Sequence, residues 1–411
     1  MPPTRPLATS DSLSAPLISS SSGTYSERLW HTLAMTSAES LRIGVARRVI
    51  TPPLPVALAG YGDRVQPATG VHDDLEARVV VFRSGDLTLC LVVLDLMAMS
   101  ADWANHTRRA VAEALDVGVA HVMTSTTHTH AGPSTVSGTE LLGWEVPKHW
   151  RPDLAEHCVS AALEAYRTAA PVELSFVRAP LEASLSFNRR GHSYAPTFAA
   201  FQATGESGEV LLTLLSIGVH GVVLGPSNRE ISGDWIGVCR TEVEKASGGT
   251  CVFVQGCHGD VDPHGMSWEG LPGDWFGAVD RVGNGFAACA ISALGAAEPA
   301  IGPTRVVRHS TFDLDVAGSG MAMITRRDTV SVELAEWEVG GVRLVMVPGE
   351  GFAELGSQIV AGRADLPTLI VGFSPHWLGY LPVPFGEGYE EGLSFGADFV
   401  DRIATELASP R

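Results

Sequence analysis

Residues 121–133 read HVMTSTTHTHAGP. The first half is short and carries Val, Met and Thr, the composition of a half-buried or buried strand. The second half delivers two histidines, His128 and His130, into a connection closed by Gly132 and Pro133, a pair that turns the chain. The same order of events recurs along the sequence. Asp95 ends LCLVVLDL, His220 follows LLTLLSIGV, and the run QGCHGDVDPH at 255–264 follows TCVFV. Glu350 follows VRLVMVPG, and Tyr380 comes soon after TLIVGF. Each apolar run hands a polar cluster to the loop after it, and in open α/β sheets ligands bind at that edge. Six coincidences of one kind point to convergence on one site.

Strands are expected at 78–82, 87–96, 121–126, 172–177, 210–217, 251–255, 342–347 and 368–373. They are rich in Val, Leu and Ile and bounded by Gly, Pro or Asp. Helices are expected at 101–115, 152–167, 235–247, 278–294, 352–361 and 395–408. In the second of these, Leu154, Cys158, Ala161, Ala162 and Ala165 recur at helical spacing. The alternation predicts an α/β architecture with mixed, parallel-rich sheets flanked by helices. No internal repeat or linker interrupts residues 41–411, so a single catalytic domain is expected there. Residues 1–40 are rich in Ser, Pro and Thr and read as a disordered tail, or as a segment preceding a natural start at Met35.

The 411 residues are 45% hydrophobic and 18% charged, enough for a large core. A net charge of −18 argues against nucleic acid as a partner, because phosphate binding needs an excess of Lys and Arg. No apolar run has the length of a transmembrane segment. The six cysteines are scattered, without the close pairs of a zinc knuckle or redox motif, and reduced thiols are expected. With no apolar leader, the expected location is cytoplasmic; a homo-oligomer is left open.

The polar residues each carry two readings. His128 and His130, two apart, project from one face if the backbone is extended, as a metal ligand beside a second ligand or proton shuttle. Alternatively they are hydrogen-bonding histidines in a polar turn. His220 alone reads equally as a core histidine. Glu350 lies at a strand-to-helix junction, where a carboxylate can cap the helix, and Tyr380 reads as a buried tyrosine with a bonded hydroxyl. Asp260 and Asp262 share a face if GDVDP is extended, suited to acid–base work or to a metal, or else to an Asx turn before Pro263. Arg229 and Asp234 precede a helix, where Asp234 reads as an N-cap.

The segments IGVARRVITPP, LAGYG, STTHTHAGP, FNRRG, VHGVVLGPSNREISGDW, QGCHGDVDP, VPGEGFAELG and VGFSPHWLGYLP, in this order, carry a resemblance. The chain resembles the catalytic domain of the neutral/alkaline non-lysosomal ceramidases over nearly all of residues 43–382. The resemblance implies a zinc amidase fold with Zn²⁺ held by His128, His220, Glu350 and Tyr380. It places His130 beside the metal and Arg189, of FNRRG, at the substrate's polar part. Departures from the family pattern stand out. The family loop reads GD-x-S-P with a catalytic Ser, whereas this chain has Asp262, then Pro263 and His264. The family often has a second Tyr where this chain has Trp377. Ceramidases also carry an immunoglobulin-like domain after the catalytic one, and the chain is expected to lack it.

The expected function is zinc-dependent hydrolysis of an amide bond in a soluble N-acyl small molecule. His130, Asp260 and Asp262 are the catalytic candidates, and Arg189, Arg229, Asp234 and His264 the substrate-binding ones. Two alternatives remain at this stage. Asp95, Asp260, Asp262 and His264 could enlarge the site to two metals, for ester, lactone or phosphoester hydrolysis. Asp262 in place of Ser also fits a non-catalytic metal-binding member.

Overall fold

The computed structural model describes residues 40–136, 150–266 and 273–409. The Ser/Pro-rich segment and Met35 lie outside the described residues. Every helix expected from the sequence is present, with ends shifted by at most three residues. Ala101–Leu115 is capped by Ser100, whose hydroxyl accepts from Trp103 N–H, and ends on Asp116 in the left-handed conformation.

The largest sheet has nine strands among the described residues. Its order is Thr250–Gln255, Val210–Ile217, Thr197–Gly205, Ala170–Pro180, Arg42–Val49, Glu76–Ser84, Leu87–Leu94 and Val122–Thr126, with Glu298–Ala300 added beside Ala170–Pro180. It is mixed. The parallel pairs sit at its two ends, Thr250–Gln255 on Val210–Ile217 and Leu87–Leu94 on Val122–Thr126. The middle is antiparallel because Arg42–Val49 and Thr197–Gly205, neither of which was expected as a strand, pair there. A second sheet has the order Arg305–Asp315, Thr329–Val339, Val342–Val347, Thr368–Gly372. Its first two strands were also unexpected.

Strand alternation sorts the core into layers. On one face of the large sheet, Val79, Val81, Cys90 and Val92 pack against the helices Ala101–Leu115 and Trp150–Thr168. On the same face Leu215, Cys251 and Phe253 meet Asp234–Ser247 and Trp275–Leu294. The opposite face, with Val80, Phe82, Leu91, Phe201 and Leu214, packs on Trp337, Leu344, Met346 and Val371 of the second sheet. The outer face of that sheet, with Val332, Leu334, Val345 and Val347, is covered by Ala353–Ala361 and Ala397–Ala408. The order is helix, sheet, sheet, helix. Strands covered on both faces, such as Leu87–Leu94, Val342–Val347 and Thr368–Gly372, read as nearly continuous apolar runs for that reason.

The large sheet curls until its end strands approach. Gln255 donates its amide to Thr127 O at 2.9 Å and Val219 O at 3.0 Å. A parallel bridge joins Thr129 to Gly221, and His130 N–H donates to Gly221 O. This closure carries the loops after three strands of the large sheet to the same end as the loops of the second sheet.

Candidate metal centre

His128, His220, His258 and Glu350 meet at that end, with one donor atom from each lying within 4.8 Å of all the others. All four are buried. Each imidazole is oriented by a backbone carbonyl. His128 Nδ1 lies 2.7 Å from Met97 O, His220 Nδ1 3.0 Å from Val261 O, and His258 Nδ1 3.0 Å from Gly256 O. A carbonyl only accepts, so the ring proton sits on Nδ1 in all three and Nε2 keeps its lone pair. Glu350 Oε2 lies 3.5 Å from His128 Nε2 and 3.4 Å from His220 Nε2. The ring centroids are 4.5–5.1 Å apart.

The convergence of His128 and His130 has a different backbone cause from the extended geometry expected. His128 has φ of 61°, in the left-handed region a non-glycine residue rarely occupies. The kink still brings the rings together, with Nε2 atoms 3.0 Å apart. Strain of this kind persists where surrounding structure over-determines it. Here Phe373 stacks on His128 at 4.5 Å, and the Met97 carbonyl fixes its ring.

Burial drives the charges. It lowers the His128 pKa to about 4 and holds His130 and His258 well below the usual histidine range. Burial pushes Glu350 the other way, but His128 and His220 outweigh it and keep the carboxylate below its ordinary range. Three imidazoles, each with Nδ1 turned to a backbone carbonyl, and one carboxylate present lone pairs to one small volume. A bound cation fits this donor set, since imidazole nitrogen and carboxylate oxygen are good ligands for zinc and its neighbours, and His258 Nε2, fully buried, has no hydrogen-bond partner. Among the described residues no other group of three such donors gathers.

The surroundings hold these groups in place. Glu350 does not cap the following helix; Phe352 occupies that position. Its Oε1 instead accepts the Trp377 indole N–H at 2.8 Å. Tyr380 pairs with Glu350 in a short parallel bridge between strands, and its hydroxyl is hydrogen-bonded to Tyr389. Tyr389 is 58% exposed, so the two tyrosines run from the buried cluster to solvent. The LAGYG segment supports His130. Tyr61 meets its ring edge-on, Arg64 donates to its carbonyl at 2.6 Å, and a Cβ on Gly60 would lie 2.1 Å from His130 Nδ1.

The acidic loop divides its work. Asp260 accepts from Asn188 Nδ2 at 2.6 Å and Ala353 N–H at 2.8 Å, tying three segments together. Asp262 lies in a short strand paired with Ser186–Asn188, 2.9 Å from Arg189 Nη1 and 3.3 Å from His220 Nδ1. Arg189 also donates to Glu390 and to the Gly259 carbonyl.

Four other candidates point elsewhere. Asp234 is buried, accepts from the backbone N–H groups of Val223, Leu224 and Trp235, and shapes that turn. It lies inside the helix start, one residue after the N-cap Gly233. Arg229 donates to Pro67 O. His264 is exposed and packs on Phe187. Asp95 forms a two-pronged buried ion pair with Arg240, both contacts 2.8 Å, and is not in the cluster. His258, Trp377 and Tyr389 received no role from the sequence. His258 follows a strand as His220 does, and the same strand-end reasoning reaches it within QGCHGDVDPH.

No family model matches the chain. The chain is 26% identical over 263 residues to the neutral ceramidase of Mycobacterium tuberculosis, a match covering 55% of this chain and 41% of that protein. The chain thus spans less than half of that relative's length. In fold it is similar to the neutral ceramidase of Pseudomonas aeruginosa, with a TM-score of 0.75, 18% identity, and coverage of 90% of this chain and 73% of the other. A ceramidase complexed with C2 superposes with a TM-score of 0.73 at 17% identity, covering 90% and 74%. The chain resembles the neutral ceramidases in sequence and has their mixed-sheet fold.

Proposed function

We propose that this chain, built on the fold of the neutral ceramidases, is a zinc-dependent hydrolase that cleaves the amide bond of a small N-acyl compound. The observation that carries the reading is the set of buried imidazoles whose Nδ1 protons are all given to backbone carbonyls, beside the carboxylate of Glu350. Bound there, zinc would lower the pKa of a water to near neutrality and would polarise the acyl oxygen. His128, His220 and Glu350 would hold the ion, and the resemblance adds Tyr380.

The remaining residues manage protons and orientation. His130, neutral and next to His128, holds or passes a proton between nucleophile and leaving amine at Nε2. Asp262 stands where ceramidases carry a serine. It fixes the His220 ring and the Arg189 guanidinium rather than offering a hydroxyl proton. Arg189 carries a positive charge to the edge of the cluster, where it orients the polar part of the substrate.

The reading is tested by elemental mass spectrometry on the wild type and His128→Ala, together with turnover of a panel of N-acyl amides. The expected result is about one zinc per chain, lost in the variant, with amide cleavage by the wild type only. Absence of metal from both proteins would overturn the mechanism. Full metal without turnover of any acyl substrate would overturn the enzymatic part.

A further inference from the structure

We infer that His258 is a metal ligand, so that the ion is held by three imidazoles and Glu350 rather than by two imidazoles, Glu350 and a tyrosine. This inference rests on the metal-dependent reading above and changes its ligand set.

Four observations carry it. First, His258 is fully buried and its Nε2 has no hydrogen-bond partner. A buried ring nitrogen left so is unfavourable unless something takes its lone pair. Secondly, its Nδ1 is committed to Gly256 O at 3.0 Å, the same arrangement that Met97 O gives His128 and Val261 O gives His220. A backbone carbonyl on one ring nitrogen, aiming the other, is the usual support of a ligating histidine. Thirdly, its ring stands 4.5 Å from that of His220 and 5.0 Å from that of His128. Its donor lies within 4.8 Å of the other three.

The fourth observation concerns the tyrosine. The segment that carries it here reaches Glu350 through Trp377, whose indole donates a hydrogen bond to Oε1 and has no lone pair to give a metal. The hydroxyl of Tyr380 is engaged by Tyr389. Four protein donors without Tyr380 already exceed the three that catalytic zinc sites ordinarily keep. Tyr380, hydrogen-bonded to Tyr389, is not needed to complete the set.

The test uses the full-length chain stripped of metal and titrated with cobalt(II), read by its visible absorption, in the wild type, His258→Ala and Tyr380→Phe. His258→Ala is expected to weaken cobalt binding by about 100-fold or more, beyond what loss of a supporting hydrogen bond costs. Tyr380→Phe is expected to bind within a few-fold of the wild type. Equal binding by His258→Ala and wild type, or loss of binding confined to Tyr380→Phe, overturns the inference while leaving the hydrolase reading intact. A wild type that binds no cobalt or zinc overturns both. Should His258→Ala fail to fold, X-ray absorption on the wild-type zinc protein decides. Three imidazole scatterers support the assignment and two overturn it.

Discussion

At the scale of single residues, the chemistry depends on which nitrogen or oxygen each side chain offers. Glu350 Oε2 faces two imidazoles while Oε1 is held by Trp377. Glu350→Gln replaces a charged donor with a neutral amide and should lower zinc content at equilibrium by at least tenfold, measured by dialysis against a chelator. Asp262 touches His220 through the nitrogen that faces away from the cluster. Asp262→Asn is expected to retain zinc and lose turnover, and loss of zinc in that variant would make Asp262 a ligand. His128, His220 and Glu350 were legible because each follows an apolar run and sits in a recognisable motif. The roles of Trp377 and Tyr389 were not, since an indole or a phenol in a loop has no periodicity to mark its partner.

At the scale of elements, helix Asp234–Ser247 is fixed to the end of strand Leu87–Leu94 by the pair of Arg240 with Asp95. Burial favours the neutral forms of both. The mutual attraction outweighs it, lowering the Asp95 pKa and raising that of Arg240. Removing one partner strands a charge in the core. Arg240→Met should destabilise the fold by about 3–5 kcal/mol in denaturant unfolding. Its zinc stoichiometry should stay unchanged, since neither Arg240 nor Asp95 belongs to the cluster. The helices were readable to within three residues because their apolar spacing and caps are local. Strand 305–315 escaped because polar residues dilute its alternation, and strand 329–339 because Glu336 and Glu338, buried in ion pairs with Arg343 and Arg363, interrupt its apolar pattern. Strand 197–205 escaped through its small Ala residues.

For the whole molecule, one buried carboxylate links stability to pH. Burial raises Asp234 to about 6, against the lowering effect of its hydrogen bonds from Leu224, Trp235 and Val223. A carboxyl whose native pKa lies above its unfolded value of 3.8 binds more protons when folded. Its contribution to stability is complete below that unfolded value and is lost as pH rises through the native one. Between pH 4 and 7 the wild type should lose about 2 kcal/mol relative to Asp234→Asn, followed by unfolding of both proteins in parallel. A gap that does not change with pH would show that Asp234 stays ionised in the native protein.

Spacing and composition were enough to read the secondary elements with strong apolar periodicity, the mixed α/β class, the polar strand ends and the resemblance that named most of the cluster. These are local properties, written in spacing and composition. Which strand ends meet is set by the packing of the sheets. The antiparallel middle of the large sheet and its curling onto Gln255 set that geometry. It also separated Asp95, Asp234, Arg229 and His264 from the cluster and brought His258 into it. The physical reason is that a lone pair acquires a role from the direction in which its ring is held. For His258 that direction is set by the Gly256 carbonyl and by the neighbouring rings of His128 and His220, the latter two far from it in sequence.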